Sequence, residues 1–509
     1  METVSRVVLV GDFFAKDLSG AGNPLQYFDA LAHDVYLPLV SNASVVDSWP
    51  DTLTKEVMGQ LHKMLANMHR TIGESQGTTQ LPLPPTESSP LMDEKEKNYQ
   101  LETSVVDWAH QIKNILKLDP ESELKDGNHV GPTVEIAFWR HKAKNLNAIH
   151  EQLTGSRMQK VIEVLEDAKS TYVPSFLRVC EDVSVAMTEA NDNVKFLNTL
   201  EPHLDRLAMS DEFTELTKVF GLVMHTIMFI WKHSKFYRTP ARLVVLMREI
   251  CNDLIVQAEK FLEPETILEE EPQDAVDKLK TALRVCSMMK TVYFGYKARV
   301  AVECPDNPWR FQNSALFVRL DSFLERCHDI LELTNTVLQF SKLETVEVGG
   351  TKGKILTTSV AQIFSDFTKS VSRFHEIEYS LLDVEAEKFD DDFYLFRLEI
   401  KELERRLGSV ITQGFDDSPT VYTAFKLLDS FDAMLQREVI TQDLEKKHID
   451  LVQRFGTDLR DVLDIFKTMK DHPMIGRNMP PVAGAVLWIR GLKERIKDPF
   501  ERFKTIHAS

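Results

Sequence analysis

Apolar residues recur at alternating steps of three and four residues through most of this chain, and this spacing constrains the fold more than any other feature. Such steps return a side chain to the same face of an α-helix, so each stretch predicts a helix with one apolar stripe. Two clear examples lie in 313–340 (Leu316, Leu320, Phe323, Cys327, Ile330, Thr334, Val337) and 437–467 (Val452, Phe455, Leu459, Val462, Phe466). Strand-like alternation is nearly absent after residue 95. The sequence therefore predicts an all-α fold, an elongated array of helical bundles strung end to end.

The same spacing also suits a dimeric coiled coil. A sustained coiled-coil seam is longer and carries patterned charges at its edges. Here the stripes are short and are interrupted by glycine and proline. Packing within the chain is the favoured interpretation, and a dimeric seam remains the alternative.

The stretch 74–95 is rich in proline, serine and threonine, and it is the best domain boundary in the sequence. Prolines break helices and favour extended backbone. We therefore predict a small mixed α/β segment at 1–75, a Pro/Ser-rich linker at 76–95, and helical bundles over 96–509. In the first segment, Val7–Val10 is the candidate strand, and a helical pattern begins near Thr52.

Prolines also mark where several helices begin. Thr239-Pro240 and Ser418-Pro419 each place an N-cap residue before a proline at the first helical position. Near the C-terminus, Pro480 and Pro481 fix φ and remove two N–H donors, and Gly484 permits a close approach between backbones. This stretch predicts a rigid turn that feeds a helix within a packed junction.

The charge and the cysteines exclude several classes of protein. A net charge of −18 over 509 residues, without a local basic patch, argues against a nucleic-acid partner. The five cysteines are scattered and none has metal-binding spacing, which fits a reduced intracellular compartment. No apolar stretch is long enough to span a bilayer, and the most apolar run, Leu222–Trp231, suits a buried helix. We expect no integral membrane protein.

The glycine-rich run from Gly349 to Lys354 resembles a phosphate loop only superficially. A Walker A loop has four residues between its first glycine and the Gly-Lys pair, followed by serine or threonine. Here three residues separate Gly349 from Gly353, and Ile355 follows Lys354. A tight turn between helices is the better interpretation.

Two carboxylate clusters, Asp390–Asp392 and Asp416-Asp417, invite comparison with the magnesium-binding motif of all-α isoprenoid enzymes. Neither completes the DDxxD pattern. Roles at helix N-caps or in turns are favoured. Likewise, the acidic stretch 263–274 is interpreted as a solvated loop. The aromatic clusters Phe138-Trp139, Phe229–Trp231 and Phe236-Tyr237 are interpreted as core residues, with a hydrophobic socket for another subunit as the alternative. We therefore expect neither a catalytic site, a metal nor a cofactor.

Several segments, taken in order over about Leu37–Arg490, resemble the N-terminal tail of dynein heavy chains, with the axonemal outer-arm β type most similar. Each segment alone is weak, but their order and spacing make the combination specific. The residues that carry the resemblance are Asp107, Trp108, Pro132, Phe138, Trp139, Trp231, Pro240, Gly349, Gly350, Gly414, Phe415, Asp416, Asp417, Arg477, Pro480, Pro481 and Gly484.

The resemblance implies a non-enzymatic assembly module of the cytoplasm, the cytoskeleton and the axoneme of cilia or flagella. A tail of this family binds dynein intermediate and light chains, joins another heavy chain, and contacts axonemal docking proteins. The ATPase ring of the family is encoded downstream of the tail, and the sequence stops at Ser509. Motor activity is therefore not expected, whether the chain is a fragment or a separate tail. The rival interpretations are a helical-rod tether of the exocyst type and an all-α isoprenoid enzyme.

Overall fold

The computed structural model describes residues 49–82, 94–118, 131–210, 212–349, 352–418, 420–435, 437–476 and 479–506. Within these ranges the regular secondary structure is helical and no strand is present, which confirms the all-α prediction. The candidate strand at Val7–Val10 lies outside the described residues. The helical pattern predicted from Thr52 is confirmed by a helix that begins at Asp51.

The described residues form fifteen α-helices. In chain order they are α1 (Asp51–Gln76), α2 (Glu94–Leu116), α3 (Pro132–Thr154), α4 (Ser156–Asp167), α5 (Val173–Leu197), α6 (Glu201–Ala208), α7 (Leu216–His233), α8 (Pro240–Leu262), α9 (Pro272–Glu303), α10 (Asn313–Phe340), α11 (Gly353–Ser372), α12 (Glu387–Asp416), α13 (Val421–Ser430), α14 (Glu438–Met469) and α15 (Pro481–Ile506).

The chain divides into two compact units, and the divisions fall within helices. Unit 1 comprises residues 1–254 and 288–318, and unit 2 comprises residues 255–287 and 319–509. Helices α8, α9 and α10 therefore each contribute residues to both units.

In unit 1, α5 packs along α3 and α2, and α6 packs against α7 and α3. The largest fully buried side chains here include Trp108 of α2, Trp139 of α3 and Phe176 of α5. These rings bring large apolar areas out of water, and such burial is the main favourable term in folding.

The most apolar helix among the described residues lies in unit 1. By length and composition alone, Phe213–His233 would be able to cross a membrane, with a mean hydropathy of 1.3. The expectation that no stretch reaches that length was therefore wrong. Its window is 56% buried inside the protein, and Val223, Met224 and Ile227 are fully buried. The core helix of a soluble protein has the same character, and the helix supplies the centre of unit 1.

In unit 2, α12 packs against both α11 and α14, and α13 lies against α12, α14 and α15. A row of phenylalanine rings from α12, Phe389, Phe393 and Phe396, stacks at centroid distances of 5.6 and 6.1 Å. All three rings are buried, so they form the apolar centre of this end of unit 2.

The two apolar stripes that predicted the fold class differ in how far they are buried. In α10, Leu320, Phe323 and Cys327 are fully buried or nearly so, as predicted for packing within the chain. In α14, Val452 and Phe466 are 53% and 43% exposed. Packing within the chain holds for part of this stripe, because Val462 is buried and Phe466 stacks on Trp488 of α15 at a centroid distance of 6.3 Å, whereas Val452 is left largely uncovered.

Candidate functional site

Trp108 of α2 fastens an extended segment onto unit 1. Its indole N–H donates a hydrogen bond of 2.7 Å to the carbonyl oxygen of Pro82. Two amides of the same segment are bound by side chains of α3: Thr79 N–H donates to Asn145 at 2.9 Å, and Leu81 N–H donates to Gln152 at 2.8 Å. We call residues 78–82 the docked segment. The neighbouring motif residue Asp107 is exposed.

Gly131 and Pro132 fix the beginning of α3. Gly131 adopts φ 81°, ψ 160°, a backbone conformation that disfavours any other residue type, and Pro132 is buried in the first helical turn. The Gly131 N–H donates to the Glu249 carboxylate at 3.2 Å. Burial raises the pKa of Glu249, and the bond from Gly131 opposes that increase. A methyl group at Gly131 would lie 3.2 Å from the Asp253 carboxylate.

Trp139 is the centre of a polar network inside unit 1. Its indole N–H donates to buried Glu135 at 3.3 Å. The guanidinium of Arg242 lies 4.9 Å from the Trp139 ring centroid and pairs with Glu189 at 2.7 Å. Phe138, half-buried, meets Trp139 edge-on at 5.6 Å. The network joins α3, α5 and α8 through one aromatic ring.

The connection before Pro240 is closed by a single carboxylate. Asp192 of α5 accepts hydrogen bonds from the Ser234 hydroxyl and from the amides of Lys235 and Phe236, at 2.9 to 3.2 Å. Pro240 itself is exposed and begins α8, as the Thr239-Pro240 pattern predicted. Tyr237, in the same connection, is buried, and burial raises its pKa well above the ordinary value.

Trp231, at the end of α7, is bound from a distant part of unit 1. The ring is buried, and its indole N–H donates to the carbonyl oxygen of Asn307 at 2.7 Å. Phe311 meets the same ring at a centroid distance of 6.4 Å.

The glycine-rich run leads into α11, which begins at Gly353, and its interpretation as a turn falls partly on residues 350–351, outside the described residues. Gly349 is exposed with open space around it, and Gly350 lies outside the described residues. The glycine that the geometry requires is Gly353, because a Cβ there would lie 2.3 Å from the carbonyl oxygen of Val348. The motif residues Gly349 and Gly350 do not include this glycine, and its contact with Val348 is visible only in three dimensions.

The C-terminal end of α12 carries four motif residues with distinct surroundings. Gly414 faces the Leu427 methyl groups, with its virtual Cβ 3.0 Å from the nearest, and Phe415 is fully buried. Asp416 pairs with Lys447 at 2.6 Å, and Asp417 pairs with Lys352 at 3.1 Å. Of the two predicted roles, N-cap or turn, the N-cap does not apply to these aspartates because they lie at a helix C-terminus, whereas Asp417 does lie in the turn that follows the helix. Carboxylates are disfavoured there by the helix dipole, and the two lysines offset that cost.

The other carboxylate cluster does lie at a helix start. Asp390 belongs to the first turn of α12 and pairs with the buried Arg326 at 3.1 Å. Asp392 accepts a hydrogen bond of 2.7 Å from the Tyr379 hydroxyl. Because Asp390 and Asp392 bind side chains of the same chain, they favour a role in positioning the helix over the magnesium site of an isoprenoid enzyme.

The last group of motif residues begins α15. Pro480 and Pro481 are exposed, Pro481 is the first helical residue, and Arg477 lies outside the described residues. Gly484 is buried, and a Cβ there would lie 2.2 Å from Ile475 Cγ2. A close approach was predicted at Gly484, but the approaching group is a side chain instead of a second backbone.

Residues 98–509 match the family described as "Dynein heavy chain, N-terminal region 1". The chain belongs to this dynein family. Its relatives include the dynein beta chain of the flagellar outer arm of Chlamydomonas reinhardtii, which is 50% identical over 95% of this chain. The ciliary dynein beta chain of Heliocidaris crassispina is 33% identical over 94% of this chain, and human dynein axonemal heavy chain 17 is 31% identical over 95%.

This dynein chain spans 11% of the length of each of those relatives. The resemblance stated from the motif series is confirmed, and every one of the motif residues lies within the matched region. The relatives are ciliary and flagellar proteins, which confirms the expected location in the cytoskeleton of the axoneme.

Among the described motif residues, Pro132, Pro240 and Pro481 begin helices. Trp108 and Trp231 bind backbone carbonyls of distant segments, and Gly414 and Gly484 leave room for a neighbouring side chain. Among the described residues, no group of three or more histidine, cysteine or acidic side chains is placed to hold a metal ion. Burial raises the pKa of Cys180 to about 11 and that of Cys286 to about 12, so both remain protonated thiols at neutral pH.

Proposed function

We propose that this chain is the non-catalytic tail module of an axonemal-type dynein heavy chain. In this role it binds intermediate and light chains, and it supports assembly and anchoring of the motor for ciliary movement. The observation that carries the proposal is the family match over 98–509, with identity to axonemal heavy chains across nearly the whole chain.

The motif residues support a structural role. The motif residue Gly414, and Gly131 and Gly353 beside other motif residues, each occupy a place where a larger residue would meet a neighbour. Trp108 and Trp231 bind backbone carbonyls of distant segments. Such contacts fix the course of the chain from helix to helix. We infer that the connections at Pro132, Gly349-Gly350 and Pro480-Pro481 set the angles between bundles.

The proposed organisation follows the domain boundaries expected from the sequence. Residues 96–509 would form the tail bundles, and residues 76–95 would link them to the N-terminal segment. The docked segment, which begins this linker, is bound to α3 and α2 of unit 1. A tail of this kind transmits force through its helices and recruits accessory chains at their outer surfaces.

The test is reconstitution with axonemal accessory chains. The full chain would be co-expressed with an outer-arm intermediate chain and its light chains, and the mixture separated by size-exclusion chromatography. We expect a complex of fixed stoichiometry and no ATP hydrolysis above background. A folded chain that elutes alone would contradict the assembly role. Co-elution with vesicle-tethering proteins in its place would support the exocyst-type rival.

A further inference from the structure

The second half of α14 presents an apolar stripe that other described residues leave partly exposed. It comprises Ile449, Val452, Gly456, Leu459, Leu463 and Phe466, at alternating steps of three and four residues, and we call it the α14 seam. Phe466, at one end of the seam, also stacks on Trp488 of α15 at a centroid distance of 6.3 Å. Ile449, Val452 and Leu463 are 62%, 53% and 50% exposed. At 1.5 Å per residue the seam is about 26 Å long, which matches several turns of a partner helix.

Gly456 gives the seam a notch. A Cβ built on this glycine would meet no atom within 4 Å, so the space above it is open. Val452 and Leu459 flank the notch along the stripe. Heptad-spaced apolar residues around a hole are the arrangement that receives a side chain of a packed helix.

One edge of the α14 seam is covered by α15. Phe455 contacts the Phe503 ring at a centroid distance of 5.3 Å, and Asp458 pairs with Arg495 at 2.6 Å. Val462 is buried on the same face. A helix laid along the seam would therefore have α15 on one side.

The other edge of the seam is basic. Arg460 and Lys467 are exposed and, within the described residues, form no ion pair. The acidic residue of α14 nearest to this edge is Asp464, which lies on the side of Arg460 and Lys467 that is further from the seam. In a chain with a net charge of −18, this pairing of an apolar stripe with unpaired cations is distinctive.

A second copy of the chain suits this surface poorly. If two seams paired in antiparallel fashion, the same edge of each would meet, and Arg460 and Lys467 would face their own equivalents. Like charges placed together oppose association. A parallel pair would instead bring the basic edge of one copy against the edge that α15 already covers.

We propose that the α14 seam is the docking site for an amphipathic helix of another protein, with a heptad-spaced apolar stripe and glutamate or aspartate along the edge that meets Arg460 and Lys467. The apolar stripe supplies the buried area, and the charges select the partner and its orientation. The proposal goes beyond the assembly function, because the chain can recruit accessory chains through other surfaces.

The test uses the full chain and two labelled synthetic peptides of three heptads. Both carry leucine and isoleucine at the apolar positions, and they differ only in glutamate or lysine at the edges. Fluorescence anisotropy is expected to show the glutamate peptide binding about tenfold more tightly than the lysine peptide, with weaker binding at high salt. The double change Arg460→Glu/Lys467→Glu should reverse this preference, whereas Lys354→Glu on α11 should leave it unchanged.

An apolar variant provides the second arm. Leu463→Ser should weaken both peptides about tenfold, because it removes an apolar contact from the middle of the seam. Ile355→Ser, at an exposed position of α11, is the matched control. Equal binding of the two peptides, or binding insensitive to Leu463→Ser, would overturn the proposal. A mass that doubles with concentration and returns to the monomer in Leu463→Ser would assign the seam to a second copy instead.

Peptide binding and reconstitution are independent readouts. Failure of both peptides while the accessory chains still co-elute would remove the seam proposal and leave the assembly function intact. Loss of co-elution with unchanged peptide binding would remove the assembly function and leave the seam proposal intact.

Discussion

The indole nitrogen of Trp108 donates a hydrogen bond of 2.7 Å to the carbonyl oxygen of Pro82, across 26 residues of chain. The ring is fully buried, so it serves both as a core residue of α2 and as the anchor of the docked segment. Residues 78–82 lie outside regular secondary structure, and side chains of two helices bind them along their length.

Replacing Trp108 by phenylalanine should release the docked segment. The variant keeps an aromatic ring in the core but leaves the Pro82 carbonyl without its donor, at a cost of about 1 kcal/mol. Hydrogen exchange should accelerate at the amides of Thr79 and Leu81. Trp488→Phe is the matched control, because its indole forms no hydrogen bond among the described residues. Unchanged exchange in Trp108→Phe would show that Asn145 and Gln152 bind the segment without it.

Gly353→Ala should destabilise unit 2, because the new methyl group would overlap the Val348 carbonyl oxygen at 2.3 Å. Since backbone cannot move aside as a flexible side chain does, we expect a loss of about 2 to 3 kcal/mol in the free energy of unfolding. Gly349→Ala, where nothing lies within 4 Å, should change it by less than about 0.5 kcal/mol. Urea denaturation followed by circular dichroism measures both. Equal effects would refute the assignment of the constraint to Gly353.

Arg437→Met should lower the stability of the fold strongly, although Arg437 lies in a short connection between helices. Arg437 pairs with Glu404 of α12 at 2.5 Å, and it also donates to Thr336 and Gln339 at 2.7 Å. Its removal leaves the buried Glu404 carboxylate without a cation, which costs about 3 kcal/mol.

The charge explanation for Arg437 has its own control. The double variant Arg437→Met/Glu404→Leu should recover much of the lost stability, because no unpaired charge remains. Arg405→Met, whose partner Glu402 is exposed, should leave the denaturation midpoint unchanged. If the double variant is no more stable than the single one, the loss comes from packing and not from the charge.

Thiol labelling should separate the cysteines by burial and by pH. Cys251, Cys286 and Cys327 are buried, whereas Cys180 and Cys304 are partly accessible. Burial raises the pKa of Cys180 to about 11, so its reactive thiolate is scarce at neutral pH. Its labelling rate should rise about tenfold for each unit of pH between 7 and 10.

The labelling experiment is checked by mass spectrometry of the native and urea-unfolded chain. In the native chain, label on the three buried thiols should appear only slowly, through opening of the structure. A Cys180 rate that levels off below pH 9 would contradict the raised pKa.

N-cap and proline patterns in the sequence predicted several helix beginnings. Where a prediction missed, a competing cap residue nearby explains the difference. Thr239-Pro240 places α8 correctly. Ser418-Pro419 suggests the same start for α13, but the structure begins that helix at Val421, with Thr420 as N-cap. A capping box between Thr420 and Thr423 determines the boundary, because it satisfies two amides at once.

Periodicity predicted that α14 has an apolar face, but it did not predict what lies against that face. Phe455, Val462 and Phe466 share one stripe, yet Val462 is buried and Phe466 is 43% exposed. Phe466 keeps part of its ring exposed although it stacks on Trp488 of α15 at 6.3 Å, so how fully a neighbouring helix covers each position is a long-range fact. The same holds for Gly484, whose neighbour Ile475 approaches only after the turn has closed.

The hydrogen bond from Trp231 to Asn307 spans 76 residues, so the end of α7 stays unfinished while the ribosome makes the chain that will cover it. At translation speeds of 5 to 20 residues per second, that interval is roughly 4 to 15 seconds. Throughout it, a helix as apolar as a membrane span is present without its final partners. The nascent chain thus has a defined period in which a chaperone is most needed. This period ends when residues 307–311 emerge.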